Sequence, residues 1–220
     1  MSAKTATLIG ATGLIGGELL QLLLDDPYFQ TVRILVRRPV TMEHPKLQKR
    51  LNDFSDNDAL LVDMMNSDVV FCSIGTTQKK VKGDKEAYRR IDYDIPLKIA
   101  RFCKVTGCEK FIFVSSVGAN SKSDGFYLKL KGEVEEAIKT VGLSSVHVMR
   151  PSMLLGNRKE FRLGEKIGSP AIKAISFFLP SKYRPIQAKD VAKAMIAAAK
   201  KNEEGFFVWG YREMKLARIK

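Results

Sequence analysis

Tyr127 and Lys131 stand four residues apart, so on a helix they share one face. A lysine ammonium beside a phenol lowers the phenol's pKa and makes it a usable acid–base near neutral pH. Upstream, Ser115 and Ser116 close an apolar run, where a hydroxyl at a strand end can hold a carbonyl or alcohol oxygen. A Tyr-x-x-x-Lys spacing is common by chance. Its meaning therefore depends on what the rest of the chain builds around it.

The strongest neighbour is Gly10-Ala11-Thr12-Gly13-Leu14-Ile15-Gly16, which follows a short apolar run and opens a helical pattern. Glycines in that setting let the backbone turn tightly and approach a pyrophosphate, whose charge meets the amino-terminal dipole of the helix. The spacing is Gly-x-x-Gly-x-x-Gly, not the Gly-x-Gly-x-x-Gly of the first-described dehydrogenases. A second strand then ends at Arg37-Arg38, where an NAD-selective site usually carries Asp or Glu. Two guanidinium groups there suit a 2′-phosphate through charge-assisted hydrogen bonds, so NADP(H) is expected in preference to NAD(H). Asp53, at the end of the next apolar run, is placed to bond the adenine amino group.

Elements with alternating periodicity position these groups. Strands are expected over 5–10, 31–36, 51–54, 68–74, 110–114 and 145–149, with helices over 14–24, from about 55 to 66, over 85–106 and over 127–140. Pro96 marks a kink or a fresh start inside the long helical stretch. Apolar strands alternating with helices specify an α/β fold, a doubly wound and mostly parallel sheet with helices on both faces. Ligands are then expected at the carboxyl ends of the strands. Past Pro151 the pattern loosens into a loop-rich stretch, an alanine-rich helix over 188–201 and a last strand at 206–209. The organisation expected is a single domain, with a dinucleotide-binding core over 1–156 and a small C-terminal cap over 157–220.

The 220 residues include 37 Lys and Arg against 24 Asp and Glu, a formal net charge of +13. The basic residues come as scattered doublets without an aromatic stripe, so nucleic-acid binding is not expected. No apolar run reaches the roughly 20 residues of a membrane span, and no signal-peptide cleavage pattern follows the first strand. The location expected on that basis is cytoplasmic, without a membrane partner. Three cysteines, Cys72, Cys103 and Cys108, and two histidines, His44 and His147, assemble no zinc-type motif. Phe177, Phe178 and Leu179 need burial, which a homodimer or a packed cap would supply.

The chain resembles the short-chain dehydrogenase/reductase superfamily in its atypical, extended-like branch, closest to the Tat-interacting oxidoreductase-like group and its small bacterial relatives. The resemblance is carried by Ile9 to Gly13, Val36-Arg37-Arg38, Ser73 to Thr77, Val114 to Ala119, Tyr127 to Glu135 and Arg150 to Gly156. It implies a Rossmann fold in which Gly10, Thr12, Gly13, Leu14 and Ile15 line the pyrophosphate and Arg37 and Arg38 meet the adenosine phosphate. It sets Ile74, Gly75 and Thr76 beside the riboses, and Pro151, Met153 and Leu154 beside the nicotinamide carboxamide. It makes Ser116 the residue that orients substrate, Tyr127 the proton donor and Lys131 the ligand of the nicotinamide ribose, with Ser115 as alternative to Ser116 and a further cofactor neighbour. One departure is plain: Asp92 stands where many members carry an asparagine that serves a proton-relay water chain. The function expected is NADP(H)-dependent hydride transfer to or from a small carbonyl or alcohol. A regulatory NADPH-binding module without turnover is the alternative, and a cofactor-retaining epimerase or dehydratase the third.

Overall fold

The computed structural model describes residues 4–156 and 180–217. Its first strand, β1 (Lys4–Ile9), leads into α1 (Leu14–Asp25), and β2 (Phe29–Val36) and β3 (Leu47–Leu51) follow. Next come α2 (Asn57–Met64), β4 (Val69–Cys72) and α3 (Lys85–Arg89), which runs through a π-helical turn (Arg90–Asp94) into α4 (Ile95–Thr106). Then come β5 (Lys110–Val114), α5 (Phe126–Thr140), β6 (Ser145–Met149), β7 (Leu154–Leu155), β8 (Ile186–Gln187), α6 (Ala188–Lys200), β9 (Gly205–Trp209) and α7 (Tyr211–Leu216).

Seven strands form one parallel sheet in the order β3-β2-β1-β4-β5-β6-β9. The order reverses between β1 and β4, and a crevice opens at such a switch point outside the carboxyl ends of the strands. Alternate strand residues feed opposite faces. Ala6, Leu8, Ile34 and Phe71 pack with Leu19 and Leu23 of α1 and Val191 and Met195 of α6. Ile9, Leu35, Val70, Phe111 and Phe113 pack with Leu60 of α2, Ile99 of α4 and Val134 and Ile138 of α5. Both faces being covered, the central strands read as continuous apolar runs.

One strand differs clearly from expectation. The third strand is Leu47–Leu51, not 51–54: it pairs with β2 from Val32↔Leu47 to Val36↔Leu51 and is held at the sheet edge by backbone bonds. Leu51 is exposed, and Phe54 is buried in a left-handed turn at φ 68°. Pro96 marks a fresh start: it opens α4 directly after the π turn, in which Ile95 N–H bonds Arg90 C=O. A proline has no N–H to close on the carbonyl four residues back, which at position 96 is that of Asp92, and a widened turn accommodates the gap. The last strand stands as expected, with β9 parallel to β6. Part of the stretch expected to form the cap, residues 157–179 with Phe177, Phe178 and Leu179, lies outside the described residues.

Candidate active site

The glycine loop sits at the carboxyl end of β1, over the switch point. Gly10 takes φ 91°, and a Cβ there would come within 2.7 Å of the Ser73 carbonyl carbon, so the loops after β1 and β4 touch through bare backbone. Gly13 N–H bonds Gly10 C=O at 2.9 Å and caps α1 without a side chain. A Cβ on Gly16 would lie 1.9 Å from Gly10 O, an impossible approach, so only glycine lets the helix start this close to the strand. The result is a helix amino terminus with no acidic residue in its first turn and, among the described residues, no side-chain cap on its N–H groups. Thr12 is exposed on the loop and Ile15 is buried beneath it. Leu14 runs under Gly156, where a Cβ would meet its Cδ1 at 2.8 Å, which ties the loop to the segment that carries β7.

Arg37 and Arg38 follow β2 at the same sheet edge, both exposed and without an ion pair among the described residues. Asp53 lies two residues past β3, also exposed. Its Oδ1 accepts from the Ser55 hydroxyl at 2.6 Å and the Ser55 N–H at 2.9 Å. Those two bonds hold the carboxyl below its ordinary value.

Beyond β4, the Ser73–Thr76 loop is pinned from two sides. Tyr88 donates its hydroxyl to Thr76 C=O at 3.2 Å, and Thr76 N–H donates to Asp92 Oδ2 at 2.7 Å. Ile74 is half-buried and Gly75 exposed. Asp92, on the π turn, gives its other oxygen to Lys131, whose Nζ lies 2.9 Å from Oδ1 with both side chains buried. Burial is the largest influence on that ammonium and pulls its pKa down. Asp92, with a smaller contribution from Tyr127, outweighs it, so Lys131 stands above the ordinary lysine value. Tyr127, one turn earlier on α5, is half-buried and packs edge-on against Tyr88, with ring centroids 6.4 Å apart.

The two serines part company. Ser115 is buried and donates its hydroxyl to Glu135 of α5. Glu135 is in turn clasped by Arg150, with Nε 3.1 Å from each oxygen. Ser116 is half-buried, and its hydroxyl reaches no further than the neighbouring Val117 carbonyl at 3.3 Å. Val117 N–H bonds Pro151 C=O at 2.9 Å, which brings the Ser116 loop against the segment after β6. There Pro151 is buried, Leu154 half-buried and Met153 exposed, and the Met153 carbonyl accepts from Ile186 N–H at 2.9 Å.

Glu135, Arg150 and Gly132 were absent from the expected site set. Gly132 is required because a Cβ there would lie 2.1 Å from Ser121 N, so the loop between β5 and α5 rests directly on the helix beside Lys131. A sequence clue existed in Lys131 and Glu135, charged residues interleaved at i, i+4 with the apolar Leu130, Val134 and Ile138. That pattern places two charges on a buried face.

Other polar groups belong to packing. His147 is buried; Trp209 Nε1–H donates to its Nδ1 at 3.1 Å, so its Nε2 carries the proton facing Ser145 Oγ. Burial pushes its pKa down to about 4. Cys72, Cys103 and Cys108 are free and buried, and among the described residues no cluster could hold a metal. A groove of about 390 Å³ between α4 and α5 is lined by Leu97, Arg101, Lys104 and Val141. The groove runs from Leu97, in the first turn of α4, to Lys104 and Val141 at the carboxyl ends of the two helices.

The chain is similar to known proteins in sequence and in fold. The profile of a family described as NAD(P)H-binding matches residues 10–202. The Candida albicans protein named "Protein FMP52, mitochondrial" is 31% identical over 209 residues, 90% of this chain and 89% of that protein. The Rattus norvegicus protein named HTATIP2 is 35% identical over 168 residues, 75% of this chain and 69% of that one. Among solved structures, Bordetella bronchiseptica WbmH in complex with NAD+ superposes with a TM-score of 0.72 at 16% identity, covering 94% of this chain and 76% of the other. MoeE5 in complex with UDP-glucose and NAD gives 0.71 at 18%, covering 96% and 79%. At those identities the likeness shows the fold. The plain cytoplasmic location expected from the sequence does not stand, because the FMP52 relatives from several yeasts are named mitochondrial. Among the described residues no helix is long and apolar enough to cross a membrane.

Proposed function

Because the chain belongs to the NAD(P)H-binding family, we propose that it is an NADP(H)-dependent oxidoreductase of the short-chain dehydrogenase/reductase type, acting on a small carbonyl or alcohol. One observation carries the reading. At the strand edge that holds the glycine loop, α5 sets Tyr127 one turn before a buried lysine kept cationic by its own carboxylate.

The residues fit a dinucleotide. The α1 amino terminus and bare Gly10–Gly13 backbone meet a pyrophosphate, and Arg37 and Arg38 meet a 2′-phosphate, which an acidic residue there would repel. Ile74, Gly75 and Thr76 line the ribose side, while Pro151, Met153 and Leu154 border the far end. When bound, the nicotinamide supplies or accepts the hydride. Ser116 and Tyr127 then donate hydrogen bonds to the substrate oxygen, and Tyr127 releases its proton to that oxygen as the carbonyl carbon is reduced. Lys131 has three N–H donors and spends one on Asp92, leaving two for ribose hydroxyls.

Parallel titration with NADPH and NADH tests the cofactor assignment. Wild type is expected to bind NADPH at least about tenfold more tightly, and Arg37→Ala to lose about tenfold for NADPH, about 1.4 kcal/mol, with little change for NADH. Equal affinity for the two cofactors in wild type would sink the NADP(H) preference.

A further inference from the structure

Asp92 was the departure from the superfamily pattern, and the structure gives it a definite task. It is 1% exposed, sits in the widened turn that precedes Pro96, and divides its two oxygens between two partners on different elements. Oδ1 takes Lys131 Nζ at 2.9 Å from α5, and Oδ2 takes Thr76 N–H at 2.7 Å from the loop after β4. A Cβ on Gly75 would lie 3.3 Å from Oδ1, so the glycine leaves the carboxylate room to reach both. We propose that Asp92 is a positioning residue for the cofactor ribose: one buried carboxylate fixes Lys131 as a cation and locks the Thr76 backbone, so the two sides of the ribose site form one rigid piece. The proposal rests on the functional reading above, in which Lys131 and the Ile74–Thr76 loop flank that ribose.

The charge inventory supports it. The Lys131 ammonium faces Asp92 from the π turn, Tyr127 from its own helix, Cys72 from β4 and the Phe113 ring from β5, 5.2 Å away. Burial pushes the Cys72 thiol up to about 12, so it is neutral. Asp92 is the one carboxylate in that set. Without it, burial acts on Lys131 largely unopposed and its pKa falls. Because the pairing raises the folded-state pKa, its stabilisation is present below the ordinary lysine range and is lost as pH rises through the raised value. Asparagine is not equivalent, since it is neutral and its NH2 group would set a donor against either Thr76 N–H or Lys131 Nζ.

The decisive measurement is NADPH affinity for wild type and Asp92→Asn between pH 7.5 and 9.5. Wild type is expected to change less than about threefold, whereas Asp92→Asn weakens at least about tenfold as Lys131 deprotonates. Lys131→Met, lacking the titrating group, should show no such step. Superimposable pH profiles for wild type and Asp92→Asn would overturn the proposal. A cofactor-free readout separates this failure from that of the function: in protein labelled with 15N-lysine, the ammonium signal missing from Lys131→Met should persist in wild type past the ordinary lysine value. Its loss at lower pH overturns the role of Asp92 even if Asp92→Asn does not fold, whereas a wild type that fails to bind NADPH refutes the functional reading and leaves this readout to decide.

Discussion

Helix α5 carries two buried charged groups one turn apart, Lys131 and Glu135, and each meets an opposite charge on a different element. Lys131 meets Asp92 on the π turn with both partners buried; Glu135 meets Arg150, about a third exposed, at the end of β6. In charge the two pairs look alike. They differ in what is left over. Glu135 takes Ser115 on one oxygen and Arg150 on both, so its accepting capacity goes into joining α5, β5 and β6. Among the described residues Lys131 gives one donor to Asp92 and keeps two. A satisfied network fixes the frame, and a network with spare donors beside Tyr127 is equipped to hold something the chain does not itself contain.

The sharpest way to break that comparison is Tyr127→Phe. The ring packing is kept and only the hydroxyl is removed, so NADPH binding and stability should stay near wild type. Turnover on a substrate found by screening aldehydes, ketones and quinones should drop by about 10² to 10⁴. Unchanged turnover would strip the Lys131 side of its chemistry and leave two structural pairs.

Glu135→Gln attacks the other pair. It leaves Arg150 without its anion and Ser115 with a poorer acceptor. Breaking a fully buried pair takes away roughly 3–5 kcal/mol, and the partial exposure of Arg150 reduces this to about 2–3 kcal/mol. Urea unfolding followed by far-UV circular dichroism reads it, with NADPH affinity in the folded protein nearly unchanged. A variant as stable as wild type would show that Glu135 does not hold the frame.

Much of this frame was legible in the sequence, and the misses share a cause. Apolar runs such as Val69 to Cys72 and Lys110 to Val114 announce buried strands because both their faces are covered. The edge strand β3 reads Leu-Gln-Lys-Arg-Leu, mostly exposed, and owes its place to backbone pairing with β2, which leaves little trace in side-chain pattern. Phe54 attracted the strand assignment because it is apolar, yet it is buried from a turn, where Asn52 Oδ1 takes its N–H at 2.8 Å. The site residues at helix spacing and glycine loops were visible, since backbone geometry demands those residue types. Glu135 and Arg150 are fifteen apart in sequence and Asp92 and Lys131 thirty-nine apart, and which carboxylate finds which cation is decided by the packing of α4 and α5 on the sheet.

The smallest effect tests the comparison at a single hydroxyl. Ser115 and Ser116 are adjacent at the carboxyl end of β5, but the first is held by Glu135 and the second lies open at the crevice. Ser115→Ala should lower stability by about 1 kcal/mol, the ordinary contribution of a buried hydrogen bond. Ser116→Ala should leave stability within about 0.5 kcal/mol and reduce turnover at least tenfold, through loss of a donor to the reacting oxygen. Denaturation midpoints and kcat measured on the same two proteins decide it. If Ser115→Ala proved the more damaging to turnover and Ser116→Ala to stability, the spare capacity would have to be sought on the Glu135 side of α5.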